Sequence, residues 1–528
     1  MKFQIIFTAA RRITIELLEE GIVYTTPYEI FINGEKHSSS KKVIQSVECL
    51  RPDTEYEMYL RREEEVSAPL KFRTSYEFVT LDVRDFGAVG DGQQDDTPFI
   101  QAAITCCPPK GRVLIPAGNY AVGPLFLKSE ITLELAKEAI LSYTTDSRRF
   151  PILPGLTDSY DEESEYNLGT WEGNPLNMFA ALITGIGVHD VVITGEGIIE
   201  GNGADDNWWK GHGRKPQRGA FRPRTIFLNH CENITVQGIR IQNSPSWTIH
   251  PYFSNHTRWI DLTIENPKIS PNTDGMDPES VDDLEVVGVH FSLGDDCIAV
   301  KSGKMYMGRK YKVPSQNIEI RQCHMRYGHG AVTLGSEIGA GVRHLHCHHC
   351  IFEDTERGLR VKTRRGRGKD CVIDDILFEH IRMDGVMTPF AVNCYYWCCD
   401  PDGRSEYVRS KEPLPVDDRT PEIRQMIFRD IEARNCHAQA AFIYGLPEQK
   451  IEKIEFEQVH MDFAENPVPE YPDLLADVEA CTRKGIFISN CHELIMKDVT
   501  LKGVEGEKIV LEHIDELIED EKNEYINS

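Results

Sequence analysis

A short β-rich run recurs along most of this chain, and that recurrence constrains the fold more than any other feature. Val191-Val192-Ile193, Ile234-Thr235-Val236, Trp259-Ile260-Asp261-Leu262, Leu284-Glu285-Val286 and Asn317-Ile318-Glu319-Ile320 are followed by Ile376-Leu377-Phe378, Met426-Ile427-Phe428, Ile451-Glu452-Lys453-Ile454 and Leu494-Ile495-Met496. Gly, Asn and Asp lie between the runs, and the spacing is loosely in the twenties to thirties of residues, as stacked solenoid turns require. One such turn cannot bury its apolar face alone, whereas a stack makes a continuous core. A length of 528 residues would suggest several domains, but a single solenoid accounts for everything from Phe78 onward. The acidic stretch from Asp158 to Glu165 reads as a surface loop, and the acidic tail from Glu512 to Ser528 as a cap on the last turn or a frayed end.

Residues 1–77 follow a different pattern. Thr14-Ile15-Glu16-Leu17, Tyr28-Glu29-Ile30-Phe31-Ile32 and Tyr56-Glu57-Met58-Tyr59-Leu60 alternate like half-buried strands, and Leu70-Lys71-Phe72-Arg73-Thr74 closes the set. The expectation is a small β-sandwich that packs and does not catalyse, ahead of a solenoid over 78–528. Leu50-Arg51-Pro52-Asp53-Thr54-Glu55-Tyr56 resembles the strand corner of fibronectin type III domains, where a tyrosine hydroxyl bonds back to the backbone. Met1 to Ala10 is interrupted by Gln4 and Thr8 and ended by Arg11-Arg12, so it reads as a first strand and not as a signal peptide.

The net charge of -26 argues against nucleic acid or anionic membranes as partners, and no run is apolar enough to span a bilayer. Any anionic substrate must therefore be held by local cations. Fifteen cysteines without an export signal point to reduced thiols and a cytoplasmic protein.

Four short stretches carry the chemistry: Asn272-Thr273-Asp274-Gly275, Gly294-Asp295-Asp296, Gly328-His329-Gly330 and Arg360-Val361-Lys362. They supply three carboxylates, an imidazole and two cations. One carboxyl to protonate a leaving oxygen and another to activate water is the inventory of glycoside hydrolysis. Three clustered carboxylates repel, so at least one is expected to keep its proton near neutral pH. Glycines on both sides of His329 let backbone approach a ligand. Arg360 and Lys362 alternate on a strand, so both face one way and Val361 faces the core. Arg364, Arg365, Arg367 and Lys369 add a basic cluster suited to an anionic sugar chain.

These four motifs resemble those of the polygalacturonases, glycoside hydrolase family 28, with Val361 where isoleucine is usual. Trp171-Glu172-Gly173, Trp208-Trp209, Asn243 to Trp247 and His250-Pro251 add to the likeness. Asp85 to Gly92 and Asp95-Asp96-Thr97-Pro98 resemble the entry to pectin-lyase-like right-handed parallel β-helices. There Asp96 or Thr97 would cap a helix from Phe99 to Ile104 that plugs the solenoid. The resemblance implies a right-handed parallel β-helix and an inverting hydrolase of α-1,4-linked galacturonic acid oligomers. It implies Asp295 as general acid, Asp274 and Asp296 holding and deprotonating the water, and His329 tuning the acid. Asn272, Arg360, Lys362 and Tyr396 would bind substrate. No metal or cofactor is expected. Acid and base would stand roughly 6.5–9.5 Å apart. The long insertions and Asp400-Pro401-Asp402-Gly403 resemble bacterial exo-acting enzymes, in which one end of the cleft is walled off.

Two clusters compete for attention. His344-Leu345-His346-Cys347-His348-His349-Cys350 resembles a metal site, but a strand would send Leu345 and Cys347 inward and split it. Cys398-Cys399 reads as a reduced pair. Alternative functions are a rhamnogalacturonan or rhamnosyl hydrolase of the same family, a calcium-dependent pectate lyase, and a non-catalytic carbohydrate-binding solenoid.

Overall fold

The computed structural model describes residues 1–18, 21–156, 167–210, 220–397 and 404–527. The acidic loop at 158–165, Cys398-Cys399 and Asp400 to Gly403 lie outside the described residues.

The recurrent runs all fall on one ladder of parallel strands. Its rungs include Glu232–Gln237, Asn255–Ile260, Asp282–Val287, Ser315–Arg321, Val342–His348, Val372–Asp384, Gln425–Cys436, Ile451–Phe463 and Lys484–Val504. Register keeps like residues in line: Val236, Trp259, Val286, Ile320, Cys347, Phe378, Phe428, Phe456 and Met496 pair in succession, and each is fully buried. A second ladder carries Ile264, Phe291, Met325 and Phe352 into the same core, and a third carries Ile298, Val332, Leu359 and Phe390. Three parallel faces wound around one apolar centre make the expected right-handed parallel β-helix.

The corner leading into the first ladder is built the same way on turn after turn. Asn233, His256, Asp283, Asn317, His344 and Asp375 all have φ between 51° and 57°. Asn, Asp and His are the non-glycine residues most tolerant of that left-handed region. Asp283 is therefore a corner residue, and so is His344. A groove of about 740 Å³ runs beside this column, lined by Asn233, His256, Arg258, Asp283, Glu319 and His346 among others, with none of the predicted catalytic residues.

The N-terminal plug is the helix Thr97–Cys106, which buries Ile100, Ala103 and Ile104. Its cap differs from expectation. Asp96 makes no side-chain bond to the helix; its carboxylate accepts instead from Val89 N–H at 2.8 Å and Gly90 N–H at 3.0 Å. The preceding loop, rich in glycine, has exposed donors of its own and takes the carboxylate first. At the far end, Ile509–Glu519 and Glu524–Asn527 pair onto Lys484–Val504, so the acidic tail forms the last turn.

Residues ahead of the solenoid form two antiparallel sheets, one of Phe3–Thr8, Ile13–Leu17 and Ile44–Val47, the other of Tyr24–Ile32, Glu35–Lys42, Glu55–Arg62, Glu65–Val66 and Leu70–Arg73. Met1 to Ala10 thus holds a strand. Tyr56 Oη accepts a hydrogen bond from Arg51 N–H at 2.8 Å, the corner bond read from the sequence. The sandwich core of Ile13, Ile15, Tyr28, Ile30, Met58 and Leu60 also takes in Ile260 and Val287 from the solenoid. Across the junction Asp261 pairs with Lys42 at 2.8 Å and accepts from Ser46 Oγ at 2.6 Å, and Arg321 pairs with Glu16 at 3.0 Å. Buried apolar and ionic contacts together fasten the sandwich to the side of the helix.

Candidate active site

The site grows out of one register position. Thr248 N–H donates to Asp274 C=O at 2.8 Å, Gly275 N–H to Asp296 C=O at 3.0 Å, Cys297 N–H to Gly330 C=O at 2.8 Å and Ala331 N–H to Arg357 C=O at 2.9 Å. Asp274, Asp296, Gly330 and Arg357 therefore occupy the same place on four successive turns, at the entrance to the third ladder. One oxygen from each of Asp274, Asp295 and Asp296 lies within 4.8 Å of the others. That is closer than the roughly 6.5–9.5 Å expected of an acid and base flanking a water.

Such stacking leaves no space for side chains at the intervening glycines. A Cβ on Gly330 would stand 2.3 Å from Thr333 Oγ1 and 3.0 Å from Asp296 Oδ1, and one on Gly328 2.6 Å from Asp295 O. The glycines around His329 were read as room for a ligand. What they admit is the neighbouring turn with its carboxylates.

Each carboxyl has a different environment. Asp274 is buried with Oδ1 unpartnered. Burial and repulsion from Asp277, Asp295 and Asp296 outweigh Lys301 and hold it well above the usual carboxylate range. Asp296 accepts from Thr333 Oγ1 at 2.9 Å and from Lys362 Nζ at 2.5 Å. Asp295 faces His329, with Oδ1 and Nδ1 3.2 Å apart. Burial alone would raise Asp295, but the His329 charge and hydrogen bond hold it below its ordinary value. Burial works against a charged His329; Asp295 and then Glu356, 3.7 Å from Nε2, raise it to about 9. The proton expected on Asp295 thus rests on His329 in the substrate-free protein.

Asn272 sits in the left-handed region at φ 52°, and its Oδ1 accepts from Arg222 Nη2 at 2.7 Å. Its amide N–H groups are then the ones turned away from Arg222, so Asn272 offers donors. Arg360 and Lys362 do face one way, with Val361 in the core, as alternation required. Neither is a free surface cation. Lys362 is committed to Asp296, and Arg360 donates through Nε and Nη2 to Asp473 Oδ1 at 3.0 and 2.6 Å. Tyr396 is nearby, its ring centroid 5.7 Å from both the Arg360 and Lys362 charges. Arg365, placed in the basic cluster by sequence, pairs with Glu448 at 2.6 Å under the surface, while Lys369 is exposed.

Sequence reading missed several groups here. Lys301 Nζ lies 3.1 Å from Glu337 Oε2 and 3.4 Å from Asp277 Oδ1, forming a buried ionic layer beside the aspartates, with Trp247 4.7 Å away. Asp277 shares its outward face with His250 on the turn before, and the same period-two alternation that placed Arg360 and Lys362 would have found it. Arg222, Glu356 and Asp473 come from turns and insertions and carry no such signal.

The histidine run divides as alternation demands. Leu345, Cys347 and Cys350 are in the core, while His344 pairs with Asp375 at 2.7 Å and His346 with Glu379 at 2.9 Å. Among the described residues the three aspartates form the one group with metal-like spacing, and Lys362 already brings a positive charge to it.

Residues 110–415 match the sequence model described as Glycosyl hydrolases family 28. The chain belongs to glycoside hydrolase family 28. A probable polygalacturonase of Vitis vinifera is 30% identical over 419 residues, covering 78% of this chain and 79% of that one. An exo-poly-α-D-galacturonosidase of Dickeya chrysanthemi is 26% identical over 381 residues, 64% of this chain and 61% of its own. Among solved structures, a Yersinia enterocolitica family 28 exopolygalacturonase superimposes with a TM-score of 0.69 at 18% identity, over 99% of both chains. That likeness shows a shared fold over the whole chain, antiparallel N-terminal sheets followed by a parallel β-helix.

Proposed function

We propose that this family 28 protein is an exo-acting polygalacturonase, removing terminal units from α-1,4-linked galacturonate oligomers with inversion. The substrate class is supported by the named relatives, a probable polygalacturonase and an exo-poly-α-D-galacturonosidase. One observation carries the mode of action. Beyond Arg360 the outward face of the third ladder continues through Ala391 and Asn393, yet both are fully buried. The segment 471–474 lies there, with Asn393 Nδ2 donating to Asp473 Oδ2 and to Leu474 O at 3.0 Å each. A cleft stopped at one end receives a chain terminus.

In the proposed reaction His329 passes its proton to Asp295, which delivers it to the glycosidic oxygen. Asp296, charge-paired with Lys362, takes the proton of the attacking water. Asp274, holding its own proton, orients that water. The antiparallel module is of fibronectin type III kind, supported by the Tyr56 corner bond, and braces the solenoid. Cytoplasmic location rests on the cysteine content and implies imported short fragments as substrate.

The occupied state of Arg360 and Lys362 favours a second reading, a hydrolase of rhamnosyl linkages, for which no cation need be free to meet a uronate. Chromatography of products from defined oligogalacturonates and rhamnogalacturonan oligomers over time tests both. Stepwise loss of small units from the former supports the first reading. Random mid-chain fragments would sink the exo mode, and hydrolysis confined to rhamnogalacturonan would transfer the assignment.

A further inference from the structure

Arg360 was expected to meet a substrate carboxylate, but its charge is already matched inside the protein. Asp473 is about 1% exposed, and Arg360 is 2% exposed. Burial alone would raise the Asp473 carboxyl; the Arg360 and Arg357 guanidiniums hold it below its ordinary value. Its Oδ1 takes two donors from Arg360 and its Oδ2 one from Asn393. The flanking backbone is held too. Arg357 donates to Tyr471 O at 2.7 Å and Pro472 O at 3.3 Å, and Trp397 N–H donates to Leu474 O at 3.0 Å. The segment is thus held at Arg357 and at Trp397, with Tyr471 exposed.

Its distance from the chemistry is short. Arg360 Nη1 lies 3.8 Å from Asp296 Oδ1 while Nη2 holds Asp473. A single guanidinium spans the gap from a catalytic carboxylate to the wall. Ala391, the residue below Arg360 on the next turn, is small enough to seat the segment at that depth.

We propose that Asp473 sets the length of the product: by clamping segment 471–474 onto Arg360 and Asn393, it ends the cleft one sugar unit beyond the catalytic aspartates. Arg360 is then the anchor of the wall. This rests on the end-wise hydrolysis proposed above.

The test compares wild type, Asp473→Ala and Asp473→Asn on a defined hexagalacturonate and on polygalacturonate, by product chromatography and viscometry, with thermal melts to establish folding. Wild type should release single units and leave viscosity nearly constant at early times. Asp473→Ala removes the clamp; it should give dimers and longer fragments and a fall in viscosity, with total bond cleavage kept within about tenfold of wild type. Asp473→Asn retains an acceptor for Arg360 and should fall between; it carries the test if the alanine variant does not fold. Single-unit release unchanged in a folded variant would overturn the role of Asp473 while leaving the exo mode standing. Stepwise release of dimers by wild type would overturn the one-unit wall. Mid-chain fragments from wild type would overturn the exo mode and the wall with it.

Discussion

His329 Nδ1 stands 3.2 Å from Asp295 Oδ1, so imidazole and carboxyl titrate as one unit with one shared proton. Burial alone would push His329 below its ordinary value of 6.5; with Asp295 and Glu356 beside it the imidazole loses its proton at about 9. If that proton is the one delivered to the leaving oxygen, kcat/KM should hold through neutrality and fall as pH rises through about 9. The His329 value is raised, so its contribution to stability is present below about 6.5 and disappears as pH rises through about 9, while that of Asp295, whose value is lowered, is lost as pH falls below the ordinary carboxylate range. An activity limb that stays near 9 in a folded His329→Gln variant would show that the limb belongs to another group.

Asp274→Asn separates stability from catalysis. The carboxyl is buried, repelled by three neighbours, and leaves Oδ1 without a partner. An amide carries no charge and is spared the proton uptake that folding imposes on this buried carboxyl. The variant should melt higher, with a gain of about 1 kcal/mol, while turnover falls roughly 10²–10⁴-fold. Wild-type turnover in this variant would remove Asp274 from the mechanism.

Lys362→Met tests whether that lysine serves the substrate or the protein. Its ammonium is 2.5 Å from Asp296 Oδ2. Removing one partner of a buried ion pair costs about 3–5 kcal/mol. Activity should therefore fall alike on galacturonate oligomers and on their amidated counterparts, alongside a lower melting temperature. A loss confined to the charged substrate would show that the lysine leaves Asp296 to meet the uronate.

Part of this site was legible in the sequence, and the boundary has physical causes. Asp274, Asp295, Asp296 and His329 lie within short motifs, and solenoid register converts their spacing into proximity. The face of Arg360 and Lys362 follows from strand alternation. Their partners do not: Asp473 is 113 residues from Arg360, on an insertion outside the repeat. The strands Ile298–Val300 and Val332–Gly335 were not read as rungs because they are short and buried on both faces, so they show no alternation. His344 looked like a ligand because a left-handed corner and a metal site favour overlapping residue types.

The junction between sandwich and solenoid gives a prediction remote from the chemistry. Gly288 has φ 66°, and a Cβ there would stand 2.6 Å from Ile44 Cβ. Gly288→Ala combines left-handed strain with overpacking and should cost about 2–4 kcal/mol. Thermal melts should show it, while kcat of the folded fraction stays at the wild-type level. An unchanged melting temperature would mean that Ile44 is not seated against this turn.

Stereochemistry is the sharpest test of how the carboxyls divide their work. Their closest oxygens lie within 4.8 Å, a spacing that by itself leans toward a covalent intermediate. The environments point the other way. A nucleophile must be ionised and free to reach the anomeric carbon. Asp274 is held well above the usual carboxylate range, Asp296 is bound by both Lys362 and Thr333, and Asp295 is turned to His329. In the proposed mechanism Asp274 and Asp296 hold a water between them, and that water is the nucleophile. Single displacement at an α-linkage should first release the β-anomer, visible by proton NMR of fresh product before mutarotation. Initial α-anomer would mean that one of these aspartates attacks carbon directly, and Asp296 would have to leave Lys362 to do so.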